Sequence, residues 1–413
     1  MSYGRCDSAS RRPPLMPDVG VIGLVPDTWG QVRMGRHRIL AGLAEYFNVA
    51  WMEPASEWRQ ALGRAGAQQV RLDPSLPCWQ GFHVCKPTRL APVVYRPHIV
   101  RDMTRRLRLS QGQQLLRRAG ATRFLLYIWR PTFGYALDVM PGVPSCYQLA
   151  DEYSFSDIDQ PVSPVESDLL RRASLVVIQS PGLMEKKGHF NRSTMFVPNG
   201  VDYRAYSNPA PEPDDLRRVP RPRAGYTGVI KHQLDFELLI ALAQQHVEWS
   251  FVLIGPQAAL GEKVPLVRQL ESMPNVHFLG GKPADALPAY VQHFDVAMMC
   301  YALTDYTNFI YPLKLHEYLA TGRPVVSAPV RSVLEFADVV TIARTASQWS
   351  EALLSSLQPA SNAPHAVAAR QDVARRYDWH GIVANIAGAF CALLGPEHSR
   401  RFTELQVGKL ADG

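Results

Sequence analysis

Short apolar runs alternate along the chain with segments whose apolar residues fall at helical intervals. DVGVIGLVP (Asp18 to Pro26) reads as a buried strand closed by proline. MGRHRILAGLAEYF then sets Ile39, Leu40, Leu43 and Phe47 on one helical face, and NVAWMEP returns to a strand. TRFLLYIWRP, VPSCYQLADEYS and LLRRASLVVIQS read as further strands, each running into polar residues at its end. Strands alternating with helices predict an α/β protein with a mostly parallel sheet covered on both faces.

The alternation breaks at MFVPNGVDYRAYSNPAPEPDDLRRVPRPRAG, where prolines recur from Pro198 to Pro222 among charges, the mark of an exposed connection. It restarts with RAGYTGVI, LDFELLIALAQQ, WSFVLIGP, NVHFLGG, LPAYVQHF, DVAMMCY and VVTIA. Two Rossmann-like domains are therefore expected, at 17–198 and 225–372, joined by a connection at 199–224. A helix at 373–395 follows the second domain. Residues 1–16 are expected to be a disordered tail and 396–413 a flexible one.

Composition narrows the class. At 413 residues the chain is too long for one ordinary core, and 46% hydrophobic with 20% charged residues describes a soluble globular protein. The net charge of +7 permits an anionic partner without naming one. Cys6, Cys78, Cys85, Cys146, Cys300 and Cys391 are scattered, with no C-x-x-C pair, which fits a reducing cytoplasm and argues against a zinc site or disulfide framework. The opening residues lack the apolar core of a secretory signal, and the apolar stretch Ile382 to Gly395 falls short of the roughly 20 residues a bilayer requires. Gly20-Val-Ile-Gly23 is not a dinucleotide fingerprint.

The chemistry concentrates in NFIYPLKLHEYLATGRPVVSAP, Asn308 to Pro329, which follows the DVAMMCY strand. Ligands of open α/β sheets bind beyond the carboxyl ends of strands. Pro312 suits the start of a helix, whose unpaired N–H groups favour an anion. Lys314 adds a cation there, and Glu317, three residues on, could accept hydrogen bonds from a ribose diol. The plain alternative is an exposed ion pair between the two.

The whole string, P-x-K-x-x-E-Y-x-A-x-G-x-P-V-V, resembles the donor-site signature of family 4 of the retaining glycosyltransferases with the GT-B fold, two Rossmann-like domains facing a cleft. VPNGVD (Val197 to Asp202) resembles that family's crossover between domains, and GYTGVI, VLIGP and NVHFLGG resemble its donor-domain landmarks in order. The resemblance implies that Lys314 meets the diphosphate, Glu317 holds the ribose, and the final helix crosses back to the first domain. It also implies donor contacts at Gly228, Lys231, Gly255, Phe278, Asn308, Tyr311, Pro312 and Leu313. One departure is plain. The family's first glutamate, eight positions before the second, is here Phe309; Asp305, Tyr306, Asn308 or Tyr311 would have to meet the transferred sugar.

In the first half, the spacing of Trp29, Arg33, Arg36 and His37, together with Asp151-Glu-Tyr-Ser154, resembles a bacterial subgroup associated with cell-surface polysaccharides. Arg33, Arg36 and His37 are candidates for phosphate or acceptor contacts. Trp129-Arg130 and Ala150-Asp151 stand where many members carry histidines, and Asp151 is the candidate for touching the sugar or orienting the acceptor. A solvated helix face (for the arginines) and a helix cap (for Asp151) are the plainer alternatives.

The implied function is metal-independent, retaining transfer from a UDP- or GDP-linked sugar to a glycan or polyprenyl-linked acceptor, with no cofactor. Asp157 and Asp159 have DxD spacing but no strand before them, so no metal is assigned. Arg101, Arg105 and Arg108, with Arg106, Arg117 and Arg118 close by, offer a basic helical surface for anionic lipid at the inner face of a membrane, or simply a solvated face. They lack the interleaved aromatics of a nucleic-acid surface. A non-catalytic nucleotide-sugar-binding subunit is the alternative, and a sugar-nucleotide epimerase on the same fold a weaker one.

Overall fold

The computed structural model describes residues 12–29, 35–54, 79–87, 95–153 and 162–411. Two parallel sheets form the framework. The first has seven strands, β1 (Val19–Leu24), β2 (Asn48–Met52), β3 (Phe82–Cys85), β4 (Arg123–Ile128), β5 (Ser145–Leu149), β6 (Leu175–Ile178) and β7 (Thr194–Phe196), in the order β3-β2-β1-β4-β5-β6-β7. The second has six, β8 (Arg223–Thr227), β9 (Ser250–Ile254), β10 (Val276–Gly280), β11 (Val296–Met299), β12 (Val325–Ser327) and β13 (Thr341–Ile342), in the order β10-β9-β8-β11-β12-β13. β1, β2, β8 and β9 are buried along their whole length, which is why they read as continuous apolar runs rather than alternating ones.

Strand order reverses between β1 and β4 in one sheet and between β8 and β11 in the other. Such switch points leave a crevice at the carboxyl ends of the strands. The loops leaving these ends in the two sheets face each other across a single cleft.

The chain passes outward between the domains through Val197–Asp202 and returns at Tyr377–Asp378. The two crossings are hydrogen-bonded to each other, Val201 N to Tyr377 O at 2.9 Å and Trp379 N to Val201 O at 3.0 Å. One helix was expected across 373–395; there are two, Pro364–Arg376 on the second domain and Trp379–Leu394 on the first. The break is an N-cap. Asp378 is extended and its side chain accepts from His380 N, so a new helix starts where the chain changes domain.

The described residues of the two expected tails make tertiary contacts. Leu15 and Met16 donate their N–H groups to Glu45 and Tyr46 carbonyls, and Met16 is buried. Residues expected to be flexible after 395 include the helix Pro396–Ala411. Arg401 reaches Asp18 at 2.7 Å, and Phe402 lies against Tyr46 with ring centroids 5.6 Å apart.

The basic surface also differs from expectation. On the helix His98–Arg118, Arg108 turns inward to donate to the Glu53 carbonyl at 3.0 Å, Arg105 lies over the Tyr135 ring at 4.3 Å, and Arg101 pairs with Asp102. Exposed instead are Ile99, Val100, Met103 and Leu107, flanked by Arg96, Arg106, Arg117 and Arg118.

Candidate functional site

The helix Lys314–Ala320 starts at the mouth of the cleft and divides its side chains between two directions. Leu315, Tyr318 and Leu319 are buried in the second domain's core. His316 is fully buried too, its ring stacked on Tyr377 with centroids 4.0 Å apart and Nε2 2.8 Å from the Tyr311 hydroxyl. Burial lowers its pKa to about 3, so it is a neutral structural residue tying this helix to the return crossing. Lys314 and Glu317 lie on the remaining face and line the cleft. The three polar residues of this helix therefore have two different jobs.

Lys314 is held in an aromatic frame. Its Nζ donates to the Tyr301 hydroxyl at 2.7 Å and stands 5.0 Å and 5.1 Å from the centroids of the Tyr226 and Tyr301 rings. The frame orients the ammonium without neutralising it, because a ring face attracts a cation without carrying a charge. Beneath it runs the turn after β8. Gly228 has φ +135°, and a Cβ there would lie 3.4 Å from the lysine Nζ. Gly255, in the turn after β9, has φ +150°, and its Cβ would come within 1.9 Å of the Gly228 carbonyl oxygen. No side chain fits at Gly255, so the two turns close into one bare backbone floor. Tyr318 fixes that floor from below by accepting the Thr227 N–H at 2.8 Å.

Glu317 neighbours Tyr206 of the connection between domains. Burial pushes the Glu317 carboxyl up from the ordinary range, opposed by the charge of Lys314 and by the Tyr206 hydroxyl. Lys231 also faces the cleft. Burial and the neighbouring Lys314 charge lower its pKa, while Asp151 across the cleft opposes them.

The cleft encloses about 670 Å³, a size that suits a ligand of several rings. Of the residues expected on the donor side, Gly228, Lys231, Gly255, Tyr311, Pro312, Leu313, Lys314 and Glu317 line it. Tyr311 lines it without offering its hydroxyl, which is engaged by His316. Asn308 is exposed outside the cleft, its carbonyl oxygen turned toward Gly182. Phe278 is a core-packing side chain, and the lining beyond β10 comes from Gly281 and Lys282.

On the first-domain side Arg36, Trp129 and Asp151 line the cleft, with Arg36 ion-paired to Asp27. His37 does not: it is buried against Trp51 and Trp29, ring centroids 4.6 Å and 5.4 Å away. Arg130 lies over the Tyr153 ring at 4.8 Å and is also outside the lining. Arg33, Ser154, Asp157 and Asp159 fall outside the described residues.

Phe309, where the family's first glutamate was expected, is the clearest departure. Although it follows β11 of the second domain, its side chain is 2% exposed and belongs to the first domain's core. Its carbonyl accepts from the Ser180 hydroxyl at 2.6 Å, and the Lys186 ammonium lies 5.2 Å from its ring centroid. Gly182 permits the approach, since a Cβ there would stand 2.5 Å from the Asn308 carbonyl oxygen.

Sequence reasoning missed Tyr206, Tyr226, Tyr301 and Asn199. Tyr206 sits in a connection with no periodic pattern. Tyr301 ends the β11 run, and its position beyond a strand's carboxyl end is the signal by which it was findable. Asn199, inside VPNGVD, donates to the Tyr311 carbonyl at 2.7 Å and so joins the crossover to the loop before the donor-side helix.

Comparison with known proteins agrees with this geometry. Residues 221–358 match the family described as glycosyl transferases group 1. A stretch of 179 residues is 31% identical to the putative teichuronic acid biosynthesis glycosyltransferase TuaH of Bacillus subtilis (strain 168), covering 41% of this chain and 44% of that protein. The match thus spans less than half of the curated relative. Among solved structures, WaaG, a glycosyltransferase involved in lipopolysaccharide biosynthesis, superposes with a TM-score of 0.55 at 15% identity, over 90% of this chain and 99% of its own. The E. coli trehalose-6-phosphate structure bound with UDP-2-fluoro glucose gives a TM-score of 0.63 at 14% identity, over 90% and 98%. At those identities the likeness is one of fold. The chain thus has the two-domain GT-B fold, and residues 221–358 of its second domain are similar to the glycosyl transferases group 1 family.

Proposed function

We propose that this protein is a glycosyltransferase of cell-surface polysaccharide synthesis, moving a sugar from a nucleotide-diphosphate donor to a glycan or lipid-linked acceptor. The observation that carries the reading is the pairing of Lys314 and Glu317 on the cleft face of one helix, above the bare floor of Gly228 and Gly255. An ammonium over exposed backbone suits a diphosphate, and a carboxylate one turn on suits a ribose diol. The donor is UDP- or GDP-linked, and the acceptor enters from the side of Arg36, Trp129 and Asp151.

In retaining transfer the acceptor oxygen bonds to the anomeric carbon as the bond from that carbon to the diphosphate oxygen breaks. The departing diphosphate takes the acceptor proton. Lys314 and Lys231 neutralise the charge that develops on the leaving group, the work a divalent cation does in other transferases. Binding in the cleft holds the two substrates together and excludes water.

The burial of Phe309 favours a second reading, in which the chain binds nucleotide sugar but leaves transfer to a partner. Incubation with UDP- and GDP-sugars and lipid-extract acceptors separates the two: transfer or donor hydrolysis supports the enzyme, and binding alone supports the subunit. Lys314→Ala is expected to weaken nucleotide binding by about 1.5–3 kcal/mol in titration calorimetry without unfolding the chain. Unchanged affinity would remove the site. The exposed apolar and basic face of the helix His98–Arg118 suits peripheral contact with an anionic membrane, where a lipid-linked acceptor would lie.

A further inference from the structure

The sugar half of the cleft lacks the expected glutamate, because Phe309 is buried in the other domain. Four nearby residues have the polar atoms to replace it, and three are ruled out by position. Asp305 and Asn308 are exposed and outside the cleft lining, and the Tyr311 hydroxyl is engaged by His316 at 2.8 Å. Tyr306 remains of the four, and it lines the cleft.

We propose that Tyr306, which lines the cleft together with Asp151 and Gln233, contacts the hydroxyl groups of the transferred sugar in place of the missing glutamate. This rests on the reading of the cleft as a donor site. The lining of the cleft supports it: Tyr306 and Asp151 share it with Lys231, Lys314 and Glu317, so a donor held by those three has both within the same cavity.

The Tyr306 phenol and Asp151 line one cavity from the two domains. Burial, with the Asp151 charge, pushes the phenol up to about 12, so it is a neutral donor throughout the physiological range. A phenol that both accepts and donates, beside a carboxylate with spare lone pairs, matches the mixed donor and acceptor character of sugar hydroxyls. Tyr306 belongs to the second domain and Asp151 to the first, so a sugar bound between them bridges the cleft. Recognition of this kind discriminates epimers strongly, because a misplaced hydroxyl leaves a buried polar group unpaired.

The test is the affinity of wild type, Tyr306→Phe and Gln233→Leu for UDP, GDP and a panel of their hexose conjugates, including C4 epimers, by calorimetry. Tyr306→Phe is expected to lower affinity for the preferred conjugate about tenfold, to leave the matching free nucleotide unchanged, and to flatten the preference between epimers. Gln233→Leu is expected to show the same pattern more weakly, which keeps the test open if the first variant folds poorly. An unchanged ratio of conjugate to nucleotide affinity in both variants overturns the proposal while leaving the donor site standing. Equal loss for conjugate and nucleotide also overturns it. Wild type that binds neither overturns the donor-site reading itself.

Discussion

Tyr206, in the connection between domains, is an electrostatic neighbour of Glu317, the proposed ribose contact, and opposes the upward push of burial on its carboxyl. Tyr206 is 5% exposed and has no other view of the cleft. Removing its hydroxyl leaves the packing intact and frees the carboxylate to rotate. Tyr206→Phe is expected to weaken nucleotide binding by about 0.5–1.5 kcal/mol, less than Glu317→Ala, which removes the contact itself at about 1.5–3 kcal/mol. Calorimetry on both and on the double variant checks this. If Tyr206 acts through Glu317, the double variant binds as Glu317→Ala does; simple addition of the two losses refutes the coupling.

Restoring the family glutamate at Phe309 should not restore a sugar contact. The side chain points into the first domain's core, where Phe309→Glu would trade ring packing for a desolvated carboxylate. The nearby Lys186 ammonium, already engaged with Glu152 at 3.4 Å, offers partial compensation. A loss of at least about 2 kcal/mol is expected, read as a fall in the thermal midpoint, with no gain in affinity for nucleotide sugar. A variant of unchanged stability that binds the conjugate more tightly would show that the loop 306–310 can swing into the cleft.

The alternation of strands with helices and the position of the helix Lys314–Ala320 were legible in the chain, and for definable reasons. β1, β8 and β9 are buried on both faces, so their apolar runs were unbroken, and Pro312 and Gly322 bracket the helix that carries Lys314 and Glu317. Side-chain direction at irregular positions was not legible. His37 and Arg130 follow strand ends just as Arg36 and Trp129 do, and only tertiary packing decides which of each pair faces the cleft. The same holds for Phe309 and Tyr306, three residues apart in one loop, of which one enters the first domain's core and the other lines the cleft. The helix after 395 escaped because its polar face dominates its composition, while Phe402 and Leu405 alone signal that it docks.

His316 makes stability depend on acid. Its folded pKa, lowered by burial to about 3, lies below the ordinary value of 6.5, so the unfolded chain takes up a proton that the folded chain refuses. The sign follows: stability from this residue is complete above about 6.5 and is lost as pH falls toward 3, by about 1.4 kcal/mol per pH unit. Denaturant unfolding of wild type and His316→Phe between pH 7 and 4 measures it. The variant should lose the Tyr311 contact at pH 7 but show a shallower decline in acid. Equal slopes would place the acid sensitivity elsewhere.

The proposed membrane contact through the helix His98–Arg118 depends on side chains other than the arginines that line up in the sequence. Ile99 and Met103 are 76% and 64% exposed and lie one turn apart, with Arg106 on the same side. Apolar groups on such a face enter the lipid boundary, and each flanking arginine adds about 1 kcal/mol of attraction to anionic lipid. Wild type is expected to sediment with phosphatidylglycerol vesicles and not with phosphatidylcholine alone, less so at high salt. Arg106→Ala should weaken binding about fivefold, and Ile99→Glu with Met103→Glu should abolish it while leaving thermal stability and nucleotide affinity unchanged, since both residues are exposed and remote from the cleft lining. Arg105→Ala and Arg108→Ala should act instead on stability, because Arg105 covers Tyr135 and Arg108 holds the Glu53 carbonyl. Vesicle binding that falls with these two and survives the Ile99 and Met103 changes would return the contact to the inward arginines and remove the apolar face from the account.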